Sequence, residues 1–256
     1  MLGRLFGRPA RPPRAAILPP GTRLWAIGDI HGRSDLLAEL HTMIRADALA
    51  NPAARRVIVY LGDYVDRGLD TRGVVDAILG PHDDGFERVC LKGNHEDLML
   101  AFLDDHAAAP NWFYNGGLAT LASYGVTPRT ETAAMRAAYD VQQSLRAALP
   151  PAHLAFYRSL ALHHVEGDYL FVHAGVRPGV DLASQDPFDL MWIRDEFLTA
   201  RGDHGHVVVH GHSINPEAVD AGNRIGIDTG AYFSGVLTCL VLQDGSRALL
   251  QTGKGP

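Results

Sequence analysis

Cysteine is scarce: Cys90 and Cys239 are the only two in 256 residues. Two thiols do not make a disulfide framework. Each sits in an apolar, strand-like run, so both are expected to be buried and free, as in a reducing compartment. Long apolar runs are missing too, and no stretch is long enough to span a bilayer. The first twenty residues hold Arg4, Arg8, Arg11 and Arg14 with several prolines and no acid. They lack the continuous apolar segment of a secretory leader and are expected to form a flexible basic tail over 1–20, ahead of a single catalytic domain over 21–256. A cytoplasmic location is expected. Basic excess is also absent: the formal net charge is −6, and it is more negative without those four arginines. General nucleic-acid binding needs a basic face and is not expected, nor is a membrane partner. What remains is ordinary for a globular protein, 46% hydrophobic and 20% charged, with enough chain for one sizeable core.

Strand-like and helical patterns alternate, which predicts an α/β fold in one domain. A strand over 23–27 runs into Gly28-Asp29-Ile30-His31-Gly32. A helix follows, with Ser34 as expected N-cap and Leu36, Leu37, Leu40, Met43 and Ile44 at helical spacing. A second strand over 57–61 ends at Gly62-Asp63, and its helix carries Val74, Val75, Ile78 and Leu79. A third over 88–91 ends at Gly93-Asn94-His95, before a helix through Leu98, Met99, Phe102 and Leu103. Residues from about 104 to 162 are rich in Ala and Leu and are expected to form a helical insertion near the site. Strands resume over 169–172, ending at His173, and over 206–209, ending near His210-Gly211-His212. Two further apolar segments, 224–227 and 235–242, follow with little helix between them, which predicts antiparallel pairing in a second sheet.

Five strands thus end in metal-competent polar residues beside glycine: Asp29 and His31, Asp63, Asn94, His173 and His212. Ligands of open α/β sheets bind beyond the carboxyl ends of strands, so these termini are expected along one rim. Asp29 and His31 lie two residues apart, and an extended chain aims both the same way. Asp63 offers two oxygens and suits a bridge between two ions. Asn94, His173 and His212 would complete the second. The donors are O and N without thiolate, which suits Mn, Fe or Zn. Two divalent ions outweigh the charge of Asp29 and Asp63, leaving a positive pocket for a phosphate dianion.

The blocks GDIHG at 28–32, GDYVDRG at 62–68, GNHE at 93–96, HAG at 173–175 and GHS at 211–213 resemble, in order and spacing, the signature of the phosphoprotein phosphatases. That family lies within the calcineurin-like metallophosphoesterases, and the length resembles its short bacterial and phage members. The resemblance implies a sandwich of two mixed β-sheets flanked by helices on both outer sides. It implies two divalent metal ions, Mn foremost, and direct attack of a metal-bridging hydroxide on a phosphomonoester, as a two-metal centre allows. By the same resemblance Asp29 and His31 would hold the first metal, Asp63 would bridge, and Asn94, His173 and His212 would hold the second. Arg67 would grip the phosphate through its planar fork, with Arg194 of MWIRDEF as a second arginine. His95 would protonate the leaving oxygen, oriented by Asp66. The segment 228–230 resembles a family loop packed beside the site.

Singly, each of these residues has a plainer reading. Asp and Asn beside Gly commonly close turns after strands, and only the ordered set argues for metal. His210 lies two residues before His212; support of a ligand is the preferred reading over ligation. Histidines 41, 82, 106, 153, 163, 164, 204 and 206 fit surface or structural roles. Trp112 and Tyr114 fit packing in the insertion, and the Asn115-Gly116-Gly117 loop beside them fits a substrate wall equally well. Three functions compete: hydrolysis of phospho-Ser/Thr (also phospho-Tyr) in proteins; hydrolysis of a small phosphoester or phosphoanhydride such as a bis(5'-nucleosyl)-tetraphosphate; and a phospho-binding module without catalysis. The last needs a broken ligand or acid position, and none is broken.

Overall fold

A computed structural model describes residues 16–81, 85–128 and 130–253. Among the described residues the strands are β1 (Thr22–Ile27), β2 (Arg55–Tyr60), β3 (Glu87–Cys90), β4 (His163–Glu166), β5 (Tyr169–Val172), β6 (Val207–His210), β7 (Val219–Asp220), β8 (Arg224–Gly226), β9 (Thr238–Gln243) and β10 (Ser246–Gln251). The helices are α1 (Ser34–Ala50), α2 (Thr71–Leu79), α3 (Asn94–Asp104), α4 (Ala109–Tyr114), α5 (Gly117–Ser123), α6 (Glu131–Arg136), α7 (Ala138–Ala148), α8 (Pro151–Ser159), α9 (Pro187–Trp192), α10 (Asp195–Leu198) and α11 (Ala231–Ser234).

Two five-stranded sheets, ordered β10-β9-β1-β2-β3 and β4-β5-β6-β8-β7, pack face to face. Strand alternation decides which residue faces which layer. Leu24, Ala26, Val57, Val59, Leu240 and Leu242 of the first sheet meet Tyr169, Phe171, Val209 and Ile225 of the second. The opposite faces turn outward: Trp25, Ile27, Ile58 and Tyr60 pack under α1, α2 and α3, while Leu170, Val172 and Val208 pack under Leu190 and Phe197 of α9 and α10. Each such buried side chain contributes about 1.5–3 kcal/mol. This is the αββα sandwich expected from the sequence.

Several details differ from the expectation. In the second sheet β5, β6 and β8 are parallel, and only the edge pairs β4–β5 and β7–β8 are antiparallel. The last two strands return to the first sheet beside β1. Ser34 is the first helical residue and not the N-cap; its hydroxyl donates to Asp70. Cys90 is half-buried, because β3 is an edge strand, while Cys239 in β9 is buried; both are free. Most of the expected tail over 1–20 lies outside the described residues. Its last residues are docked: Ala16 and Leu18 are buried, and Ile17 exchanges backbone and side-chain hydrogen bonds with Asp168. The stretch 104–162 is helical, with α4 to α8 packed on the outer face of the first sheet. No helix among the described residues is long and apolar enough to cross a membrane.

Candidate metal centre

The parallel strands β1, β2, β5 and β6 are each followed by a turn that carries a polar residue of the sequence motifs, and Asn94 opens α3 just beyond β3. These side chains converge on Asp63, which is 2% exposed. Its Oδ2 lies 3.4 Å from His31 Nε2 and 3.9 Å from His95 Nε2. Its Oδ1 lies 3.5 Å from His173 Nε2. The two oxygens of one carboxylate thus face two separate groups, His31–Asp63–His95 and Asp63–His173–His212; within each group the potential ligand atoms lie within 4.8 Å of one another. Asn94 Oδ1 sits 2.9 Å from both His173 Nε2 and His212 Nδ1.

Hydrogen counting tests whether cations fit. His31 Nδ1 meets the Val65 carbonyl at 2.7 Å, and His173 Nδ1 meets the Leu61 carbonyl at 2.9 Å. A carbonyl only accepts, so both Nδ1 atoms carry the proton. Burial, aided by the charges of His95 and Arg67, pushes the His31 pKa down to about 3, and burial also lowers that of His173. Their Nε2 atoms are therefore bare lone pairs, and they point at further acceptors: Asp63 for His31, Asn94 Oδ1 and Asp63 for His173. Burial pushes His212 down to about 2, and its Nε2 is buried without a partner. Lone pairs do not converge in a buried pocket without a positive charge among them. The residues present fit divalent metal ions with O and N donors.

Asp29 stands apart from both groups. Its carboxylate accepts the His212 backbone N–H at 3.0 Å and touches the Asp228 carboxyl. Burial, then Asp228 and Asp63, hold the Asp29 pKa well above the carboxylate range, and burial lifts Asp228 to about 6. Burial works to raise the Asp63 pKa as well, but His173, His95, His31 and His212 together hold it low.

Beside the groups, His95 Nδ1 donates to Asp66 Oδ2 at 2.7 Å, and Arg67 Nη2 donates to His95 Nε2 at 3.0 Å. Burial opposes protonation of His95, yet Asp63 and Asp66 outweigh it and raise its pKa. The Arg67 guanidinium lies over the Tyr232 ring, 4.8 Å from its centroid. Arg194, exposed at the start of α10, contacts Ser213 Oγ at 3.5 Å. Tyr232 and Ser213 were given no role from sequence, whereas Asp228 lies in the 228–230 segment expected beside the site and meets Asp29 there. His210 turns away: its ring packs on Phe197 at 5.1 Å and it joins neither group.

The backbone is contorted around these side chains. His31, Asp63, Asp66, Arg67 and His212 all have φ between +44° and +70°, a region that costs non-glycine residues of order 1–3 kcal/mol each. Glu96 holds two of the turns together. Its carboxylate accepts N–H bonds from Asp63, Tyr64, Val65 and Gly93 at 2.8–3.1 Å. Burial and the Asp63 charge push its pKa up to about 8, and the N–H donors pull against them. The spacing from Gly93 to Glu96 at a helix start is half of a capping box, so this residue had a readable signal. Glycine is required where the turns touch: a Cβ at Gly93 would lie 2.1 Å from Asp63 Oδ1, and one at Gly211 2.0 Å from Asp29 Oδ1.

This rim matches a known family. The profile of the calcineurin-like phosphoesterases aligns with residues 22–235. The chain belongs to that family. Serine/threonine-protein phosphatase 1 of Salmonella typhimurium (strain LT2) is 27% identical over 230 residues, 86% of this chain and 92% of that protein. Serine/threonine-protein phosphatase 2 of the same strain is 25% identical over 84% of this chain and 90% of its own length. Among solved structures, a proposed diadenosine tetraphosphatase superposes with a TM-score of 0.59 at 19% identity, covering 94% of this chain and all of its own. A cold-active protein tyrosine phosphatase does so at 0.52 and 17%, covering 92% and 82%. Both structures share the fold. The phosphoesterase is a hydrolase of the calcineurin-like type, as its motifs imply.

Proposed function

We propose that this phosphoesterase is a manganese-dependent phosphatase of phosphorylated proteins, phosphoserine and phosphothreonine foremost and phosphotyrosine also. The single observation that carries the reading is the splitting of the Asp63 oxygens between two groups of histidine nitrogens, with the bare nitrogens of His31 and His173 on opposite sides of the carboxylate. Asp29, His31 and Asp63 would hold one ion, and Asp63, Asn94, His173 and His212 the other; N and O donors without thiolate favour Mn over softer metals. When bound, such ions polarise phosphoryl oxygens and ionise water near neutral pH.

The chain's own residues supply the rest. Arg67 turns its fork from His95 to the phosphate oxygens, where two parallel charge-assisted bonds fix the group. Arg194, beside Ser213, would add a second cation. Release of His95 Nε2 lets that nitrogen carry a proton to the leaving oxygen, while Asp66 accepts the Nδ1–H and stabilises the imidazolium. The curated Salmonella relatives, aligned over most of their length, support protein substrates. Two unpaired thiols support a reducing, cytoplasmic setting.

The test is kcat/KM on phosphoserine, phosphothreonine and phosphotyrosine peptides against diadenosine tetraphosphate, with Mn present. The peptides are expected to lead by at least tenfold. A lead for the dinucleotide would replace this reading with the tetraphosphatase one, and no hydrolysis of anything would leave a binding module.

A further inference from the structure

We infer that the helical stretch 104–162 is part of the catalytic apparatus: Trp112 and Thr120 are positioning residues that hold Asp66, and through it His95, in the acid's working orientation. This rests on the proposed role of His95.

Asp66 is fully buried. Two of its three side-chain donors come from the helical stretch. Trp112 Nε1, on α4, donates to Oδ1 and Oδ2 at 3.0 and 3.1 Å. Thr120 Oγ1, on α5, donates to Oδ1 at 2.7 Å and accepts the Asp66 backbone N–H at 2.8 Å. The third donor is His95 itself. Donor bookkeeping leaves one arrangement. An indole N–H only donates, and a hydroxyl has one hydrogen. With that hydrogen on Asp66, the 3.2 Å contact to Thr71 Oγ1 must be donated by Thr71. The indole, hydroxyl and imidazole hydrogens all point at the Asp66 carboxylate, so both its oxygens are pinned and its Oδ2 is held facing His95 Nδ1.

The same stretch holds the backbone. Asp66 and Arg67 are consecutive left-handed residues, at φ +70° and +65°, and persist only if their surroundings over-determine them. Thr120 takes the N–H of the first, and the Gly116 carbonyl takes that of the second at 3.4 Å. A Cβ at Gly117 would lie 2.6 Å from the Trp112 ring, so glycine there lets the indole lie flat against α5. The ring is locked further by Phe102, at 4.9 Å between centroids.

The test compares Thr120→Val, Trp112→Phe and Thr120→Ser with His95→Gln, each loaded with Mn, on two substrates. A phosphoserine peptide has an alkoxide leaving group that needs the acid; p-nitrophenyl phosphate has one that hardly does. Thr120→Val and Trp112→Phe are expected to lower kcat on the peptide by about 10–100-fold, within the range of a disturbed general acid, with KM little changed and a much smaller loss on p-nitrophenyl phosphate. Thr120→Ser, which keeps the hydroxyl, is expected to restore the peptide rate. In metal-free protein, the downfield Nδ1–H proton resonance of His95 is expected in the wild type and Thr120→Ser and displaced in the other two. If His95→Gln loses both substrates equally, the reading of His95 as acid falls. If His95→Gln discriminates while Thr120→Val and Trp112→Phe lose both equally, lose nothing, or leave the resonance unmoved, the positioning role falls alone. Should Thr120→Val not fold, Trp112→Phe and the resonance still decide.

Discussion

At the scale of single residues, histidine environment separates function from packing. His31 and His173 present bare nitrogens to oxygen acceptors, whereas His210, two positions from His212, is buried against Phe197 with only the Gly211 carbonyl at 3.1 Å. Burial pushes its pKa down to about 4, below the ordinary 6.5 of an unfolded histidine. The folded state therefore binds fewer protons than the unfolded one as pH falls below about 6.5, and stability is lost in that window until about pH 4. His210→Gln lacks this loss. Urea unfolding of metal-free protein is expected to show the wild-type advantage over the variant shrinking by about 2 kcal/mol between pH 7 and 5, at about 1.4 kcal/mol per unit. A gap that stays constant with pH would contradict the burial of a neutral ring. The five left-handed residues around Asp63 belong to this scale too. Sequence did not mark them: Asp and His enter the left-handed region more readily than most residues, but only surroundings that over-determine the backbone hold particular ones there.

Among elements, the junction between the turn after β2 and the start of α3 matters most, because Asp63 lies on one side and Asn94 and His95 on the other. Glu96 joins them through four backbone N–H groups. Glu96→Ala leaves those buried donors without an acceptor, at about 1–3 kcal/mol each. A total loss of at least ~3 kcal/mol is expected in urea unfolding, and a smaller one for Glu96→Gln, which retains an acceptor oxygen. Equal stability of wild type and Glu96→Ala would show that water replaces the carboxylate. The apolar faces of α1 and α3 were legible from spacing alone: Leu36, Leu37, Leu40 and Ile44, then Leu98, Met99, Phe102 and Leu103, are buried as expected. The contacts of α4 and α5 with Asp66 were not, because Trp112 and Thr120 lie 46 and 54 residues away in sequence and carry no local pattern that names their partner.

On the scale of the whole molecule, the centre spans the sandwich. Asp29, Asp63 and Asn94 follow the first sheet, while His173 and His212 follow the second. An ion held by the Asp63–His173–His212 group would tie the two sheets together at one rim, and any ligand that binds only the folded state stabilises it by mass action. Mn at about a hundred times its Kd is expected to add ~2.7 kcal/mol, raising Tm by about 5–10 °C for a chain of this size. EDTA is expected to reverse the shift and Asp63→Asn to abolish it, read by thermal melts and by bound metal per chain. A Mn-independent Tm would argue against a site built from two sheets. The identity and order of the polar strand ends and the α/β class were in the sequence by itself, because period-two and period-3.6 patterns and glycine turns are local signals, while the sandwich followed from the resemblance of the ordered motif blocks to a family. Only the tertiary structure decided the rest. It turned the Asp63 oxygens towards two different histidine groups, sent β9 and β10 back beside β1, and brought Trp112 and Thr120 onto Asp66. Such contacts join distant residues through packing and charge, and no short stretch of chain encodes its partner.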